Sequence, residues 1–265
     1  MEVDVPIPIS PISRDQFQKI DRIVMNCVYA SHNRLGNLCD ETVYENDLAA
    51  RLRAEGIHNV TTQVPVTLSH HDFKKLYRLD LVVDQMVYEL KAESAISPAH
   101  ESQALNYAAL LGLNRIKLLN FGGDSVAGKL LGAPFAELDR YEINIQRSKW
   151  HPIGPECEAL ANRAEQLTHE LGGFLSSELY RDALVHLTGG EQACTKRIPV
   201  TRDKIQLGTQ RVFLHSTDCA FLVTSIGKGL QTYAKHLRTL LPSLPLKAFQ
   251  WINIHHRNVH LITIS

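Results

Sequence analysis

The sequence predicts a mixed α/β protein built as two tandem units, each a mixed central sheet flanked by helices. Three observations lead there. Apolar residues recur at helical spacing and then switch to alternation, twice over and in the same order, along the 265 residues. Identical residues recur between matching elements of the two halves. A composition of 44% hydrophobic and 21% charged residues is enough to give each half a packed core.

After a proline-rich lead (Pro6, Pro8, Pro11), the residues Phe17, Ile20, Val24, Cys27 and Val28 share one helical face. Val43, Leu48 and Leu52 suggest a second helix, which Gly56 stops. The period then changes to two. Residues 60–68 and 77–83 read as strands joined through His70-His71-Asp72, and 86–92 follows a turn at Asp84-Gln85. A helix fits 99–112, and 116–121 is a short buried strand ending in Gly122-Gly123. Pro134, Pro152 and Pro155 mark 133–156 as a connector, with one short strand around Tyr141 to Ile145.

In the second half, Leu160, Ala164, Leu167 and Leu171 lie on one helical face, and Leu179, Ala183, Leu184 and Leu187 on another. Strands are expected at 196–201, 210–215 and 220–225, then a helix around 229–241 and a final pair at 249–254 and 259–264. The expected division is 1–132 for the first unit, 133–156 for the connector and 157–265 for the second.

The halves agree in particular residues as well as in order. Leu35-Gly36, Tyr44 and Leu48 match Leu171-Gly172, Tyr180 and Leu184 at an offset of 136. Pro65-Val66 match Pro199-Val200 at an offset of 134, a register expected to run without a gap through the next two strands. Tyr107-Ala108 pairs with Tyr233-Ala234, and Asn120 with Asn253. These identities point to an internal duplication.

Charge and cysteine content narrow the function classes. With 28 basic and 28 acidic residues the chain is no polyelectrolyte binder. Residues 1–150 hold 16 Lys and Arg against 19 Asp and Glu, and 151–265 hold 12 against 9. Five cysteines without a Cys-x-x-Cys pair argue against a disulfide framework and a zinc ribbon, so a cytoplasmic location is expected. No apolar run approaches the ~20 residues of a membrane span. The segment Gly123-Asp-Ser-Val-Ala-Gly128-Lys129 mimics a phosphate-binding loop, but it ends in Leu130 where Ser or Thr must hold magnesium.

Acidic chemistry concentrates in the first half. Asp80 lies in one strand and Glu89-Leu90-Lys91 in the next, so antiparallel pairing brings Asp80 beside Glu89, with Glu89 and Lys91 on one face. Glu41 and Glu45 are one helical turn apart, with Tyr44 beside them, and either acid can reach over the sheet. Two carboxylates and an ammonium gathered in one place call for an occupant. A hard cation such as Mg²⁺ fits, being held by one or two carboxylates and substrate phosphate. Such an ion lowers the pKa of bound water and stabilises charge on a phosphodiester.

These residues resemble a known group. Asp80 followed by Glu89-x-Lys91 is similar to the PD-(D/E)xK nuclease signature, with Leu79 where proline is frequent. Closer still is the GxxExxY family of that superfamily. Residues Leu35-Gly-Asn-Leu-Cys-Asp-Glu-Thr-Val-Tyr-Glu45 resemble its helix motif, and Tyr77-Arg-Leu-Asp-Leu-Val-Val and Tyr88-Glu-Leu-Lys-Ala92 its two acidic strands. Pro98-x-His100-Glu-x-Gln103 and Asn120-Phe121 also fit, and the likeness covers about 15–125. The glycine that names the motif is Leu38 here.

The resemblance implies a restriction-endonuclease-like fold in each unit. It also implies a metal (Mg²⁺ or Mn²⁺) held by Glu41, Asp80 and Glu89, with Lys91 orienting or activating water and Glu45 as the alternative helix acid. Gln103 and Tyr107 would touch substrate or the site wall, and Tyr44 and Glu45 are placed in that wall as well.

By the 134 and 136 registers, Asp80, Glu89, Lys91, Glu41 and Glu45 become Leu214, Val223, Ser225, Ser177 and Arg181 in the second copy. That copy is expected to be catalytically dead. Since Tyr180 persists without acids around it, this tyrosine position is expected to be structural. The leading expectation is a metal-dependent nuclease acting on nucleic acid. The alternative is a non-catalytic scaffold that binds nucleic acid or protein on a nuclease fold. An internal pseudo-dimer is expected, and a homo-oligomer stays open.

Overall fold

A computed structural model describes residues 1–133 and 139–265, so Pro134 of the expected connector lies outside the described residues. The chain forms two compact units, Met1–Asp139 and Arg140–Ser265. Each contains a six-stranded mixed sheet flanked by helices.

The first unit opens with a strand absent from the sequence reading, β1 (Glu2–Asp4). Helix α1 (Arg14–Leu35) starts at Ser13, whose side chain accepts from the Gln16 amide while the Gln16 side chain accepts from the Ser13 amide, a reciprocal capping box. It ends at Gly36, held at φ 71, a left-handed value that a side chain would disfavour. Helix α2 (Glu41–Ala54) follows after a short loop, then β2 (Val60–His70), β3 (Phe73–Val83) and β4 (Met86–Lys91). Helix α3 (Pro98–Leu110) has Ser97 as its cap and proline in its first turn, where no amide is needed. Strands β5 (Arg115–Asn120) and β6 (Ala127–Gly132) complete the sheet. β6 includes Gly128-Lys129, so the phosphate-loop mimic runs into a strand rather than a helix, and Lys129 pairs with Glu101 at 2.6 Å.

The sheet order is β1-β2-β3-β4-β5-β6. All pairs are antiparallel except β4–β5, which α3 joins as a parallel crossover. One face packs on α1 and α2 through Val24, Tyr44, Leu48, Leu81, Tyr88, Leu90 and Phe121. The other packs on α3 through Val87, Ala104, Ala108, Leu118 and Leu79.

The second unit opens with β7 (Asn144–Lys149), which falls inside the stretch read as connector. There follow α4 (Pro155–Leu171), α5 (Ser177–Leu187), the single turn α6 (Glu191–Cys194), β8 (Thr195–Arg202), β9 (Ile205–Leu214) and β10 (Cys219–Thr224). Helix α7 (Leu230–Leu240) leads to β11 (Ala248–His255) and β12 (Asn258–Ile264). The order is β7-β12-β11-β10-β9-β8.

Strands β8 to β12 therefore repeat the order of β2 to β6, and they repeat its senses too: antiparallel, antiparallel, parallel, antiparallel. The sixth strand is what differs. β1 adds antiparallel beside β2, whereas β7 adds parallel beside β12, at the opposite edge of the shared order.

Two side-chain devices recur between the units. The Tyr44 hydroxyl donates to the Gly36 carbonyl at 2.7 Å, and the Tyr180 hydroxyl donates to the Gly172 carbonyl. In both cases the glycine caps the helix before. Asn120, at the end of β5, donates to the Glu93 carbonyl and accepts from the Glu93 amide. Asn253 on β11 does the same to Ile226.

The pairing corrects the gapless register of 134. β4 pairs with β5 as Lys91↔Asn120, and β10 with β11 as Thr224↔Asn253, which sets the offset at 133 here. The hairpin before it also differs: the turn between β3 and β4 has two residues, Asp84 and Gln85, while 215–218 separate β9 from β10. A longer turn raises the offset behind it, so the fall from 134 arises earlier, in the hairpins whose turns 71–72 and 203–204 align at 132.

Candidate active site

The β3–β4 hairpin does what its spacing predicts. Leu81 stands opposite Tyr88, so one step further along the register brings Asp80 beside Glu89. Asp80 accepts from the Leu90 amide at 2.7 Å, which pins its carboxylate against β4. Lys91 donates from Nζ to Glu89 Oε1 at 2.9 Å and to the Leu90 carbonyl at 2.6 Å. The same ammonium lies 3.7 Å from Asp80 and 3.7 Å from Glu41, whose helix begins at the edge of the site. Asp80, Glu89 and Lys91 are all buried, Glu89 completely, while the Glu41 side chain is 36% exposed and opens the site to solvent.

Glu45, the alternative helix acid, also arrives. Oxygen atoms of Glu41, Glu45 and Asp80 lie within 4.8 Å of one another, a spacing that lets all three ligate one cation. A residue that sequence reasoning missed makes this possible. Gln63 donates to both Glu45 oxygens, at 2.8 and 2.9 Å. It stands in β2 between the pairs Thr62↔Leu81 and Val64↔Leu79, hence opposite Asp80, and its backbone turns to φ 53. Only the positive φ, invisible in the residue pattern, aims the amide at α2.

Burial raises every carboxyl of the group. Desolvation lifts Glu41 to about 6 against the pull of Lys91. It lifts Glu45 despite the Gln63 amide, and Asp80 despite Lys91 and the Leu90 amide. Glu89 is pushed furthest, to about 8, by desolvation and the neighbouring Asp80. For Lys91, burial works to lower the pKa, but Glu89, Asp80 and Glu41 together outweigh it and hold the ammonium charged. Glu89 Oε2 is buried without a hydrogen-bond partner. A group of acids that resists ionisation around one ammonium is short of positive charge, and a divalent cation would supply it.

Gln103 and Tyr107 lie one turn apart on α3, where the Gln103 amide donates to the Tyr107 hydroxyl at 3.1 Å. Desolvation and the nearby Glu89 push Tyr107 up to about 12, which places it beside the cluster. Gln103 is exposed at the rim. Tyr44 faces elsewhere. Its ring stacks on Phe121 at 4.3 Å, and its hydroxyl bonds the Gly36 carbonyl and the Cys39 amide. It shapes the loop from α1 to α2, its one hydroxyl proton given to the Gly36 carbonyl. Leu38, where the motif's name has glycine, is 94% exposed and has no positive φ, so this loop has no need of glycine there.

The second unit lacks all these groups. By the register of β10, Glu89 and Lys91 correspond to Leu222 and Thr224, and one step along the β9–β10 pairing sets Val212 beside Leu222, where Asp80 stands beside Glu89. These replace the expected Val223, Ser225 and Leu214, and none is charged. The Trp251 indole N–H donates to Thr224 at 2.8 Å, and Thr224 donates to Asn253 at 2.7 Å. Ser177 and Arg181 stand at the helix positions of Glu41 and Glu45, and Arg181 pairs with Asp182.

No helix among the described residues is long and apolar enough to cross a membrane. Comparison with curated proteins gives no match, and neither does comparison with solved structures. Residues 18–129, which run from α1 into β6 and carry Glu41, Glu45, Asp80, Glu89 and Lys91, match the family model of the PD-(D/E)XK nuclease superfamily.

Proposed function

We propose that the first unit hydrolyses phosphodiester bonds of nucleic acid with Mg²⁺ or Mn²⁺ bound at the acid cluster. The observation that carries this reading is the convergence of Glu41, Glu45 and Asp80 oxygens within 4.8 Å, beside Lys91, in the segment that matches the nuclease superfamily. The donor set is all oxygen and anionic, which suits a hard divalent cation. Glu41, Asp80 and Glu45 would hold it, with Glu89 and its unpartnered oxygen completing the acids around Lys91. When bound, the ion supplies Lewis acidity to a phosphoryl oxygen and lowers the pKa of water.

The chain's own groups do the rest. Asp80 is fixed by the Leu90 amide and Glu45 by Gln63, so two ligands are held in place before substrate arrives. Lys91, held charged at 2.9 Å from Glu89, orients water by donating to it and stabilises negative charge developing on phosphate. Glu41, partly exposed, stands on the side from which substrate enters. Tyr107 and Gln103 form the α3 wall.

The second unit reads as a degenerate repeat of the first. Shared strand order, shared strand senses and the recurring tyrosine–glycine and asparagine devices support duplication. It keeps what shapes the fold and lacks every acid of the site. The alternative, a binding scaffold on a nuclease fold, draws on one fact: Lys91 already pairs with three of the four acids.

Calorimetric titration of Mg²⁺ and Mn²⁺ into wild type and Asp80→Ala, alongside cleavage of single- and double-stranded DNA and RNA, separates the two readings. Saturable binding and metal-dependent cleavage, both lost in Asp80→Ala, are expected. Equal silence from two folded proteins would leave the scaffold.

A further inference from the structure

Outside the acid site, the second unit gathers a second set of metal-ligand atoms. Cys157 lies in the first turn of α4, His215 immediately follows β9, and Cys219 is the first residue of β10. One ligand atom from each falls within 4.8 Å of the others. His215 Nε2 sits 3.3 Å from Cys157 Sγ. With Zn–S near ~2.3 Å and Zn–N near ~2.0 Å, two such ligands on one tetrahedral zinc stand about 3.5 Å apart, so the pair is already at coordination spacing.

We propose that Cys157, His215 and Cys219 bind a zinc ion, or another thiolate-preferring divalent metal, that ties α4 to the β9–β10 hairpin.

The hairpin supplies the reason. In the first unit β3 turns into β4 through two residues, whereas 215–218 form the longer turn here, closed by the His215 amide donating to the Cys219 carbonyl at 3.2 Å. The added length makes a His-x-x-x-Cys knuckle where the nuclease unit has a tight turn. Cys157 then comes from the N-terminal end of α4.

The ligand chemistry agrees. Cys157 and Cys219 are both almost fully buried, which excludes a nucleophilic Cys–His pair open to substrate. Both thiols give up their protons on binding metal. Asp218 is tied to Lys247 at 2.6 Å, leaving the fourth position to water.

The test uses the full chain carrying Asp80→Ala, so that the acid cluster contributes no metal. Zinc is measured by elemental analysis after dialysis, and Co²⁺ is titrated into metal-stripped protein. One zinc per chain and a thiolate-to-cobalt charge-transfer band are expected. Both should be lost in Cys219→Ala and Cys157→Ser and kept in Cys194→Ala, a buried cysteine outside the group. Circular dichroism confirms that each variant is folded. A folded parent with neither zinc nor the band overturns the proposal. So does a band that survives Cys219→Ala, or a Cys157–Cys219 disulfide forming under mild oxidant in a protein that takes up no metal.

Discussion

Replacing Glu89 by glutamine probes the physical basis of the site most directly, because it keeps the shape and removes the titration. Glu89 is wholly buried, and its carboxyl is raised from the ordinary 4.5 to about 8 by desolvation and the adjacent Asp80. A carboxyl raised by folding contributes stability that is complete below pH 4.5 and is lost as pH rises through about 8, because the unfolded chain gives up its proton first. At ~1.4 kcal/mol per pKa unit, ionising Glu89 inside the fold costs on the order of 5 kcal/mol. Denaturant unfolding of wild type and Glu89→Gln from pH 5 to pH 9, without metal, reads the difference. Wild type should lose stability relative to the variant by up to ~1.4 kcal/mol per pH unit across this window. Glu41, raised to about 6 in both proteins, largely cancels in the comparison. Parallel pH profiles would show that Glu89 ionises freely in the fold and would refute the account of the cluster. Adding Mg²⁺ should flatten the wild-type profile at high pH, since bound cation favours the ionised acids.

Other consequences follow from named contacts. Lys91→Met should abolish cleavage by 100-fold or more while leaving Mg²⁺ binding at least as tight in calorimetry, since it removes a competing cation from three carboxylates. Gln63→Ala leaves Glu45 buried without its amide partner, so Mg²⁺ affinity should change several-fold with little change in the cleavage rate at saturating metal. Tyr44→Phe should lower unfolding stability by about 1–2 kcal/mol and leave cleavage at wild-type level, because its hydroxyl bonds backbone groups; loss of activity in a folded variant would place it in the substrate wall instead. Asn120→Ala and Asn253→Ala should each destabilise by about 1–3 kcal/mol in denaturant unfolding, since each leaves a backbone amide and carbonyl without their partner.

Local order determined much of this protein. The change from a period near four to a period of two marks helices and strands, and Asp80, Glu89 and Lys91 were legible as a group because a two-residue turn joins their strands. The tyrosine and asparagine pairs were legible as identities, although the carbonyls they bind were not. β1 and β6 escaped notice because one is three residues long and the other is rich in glycine, so neither carries a clear alternation. β7 overlaps the short strand expected around Tyr141 to Ile145 only at its first two residues, because the polar residues after them gain strand form by pairing with β12.

What tertiary structure alone decided is whatever depends on closure over distance. Glu45 joins the acids where α2 packs on the sheet, and Gln63, at φ 53, reaches across to hold it. The true register of the second unit is set by its strand pairing, which residue identities did not reveal. Cys157 and His215, 58 residues apart, meet only when α4 packs at the end of the hairpin. Sequence spacing reports neighbours along a strand or a helical face, because backbone geometry repeats there. It is silent on groups joined by packing, since their separation along the chain carries no trace of their separation in space.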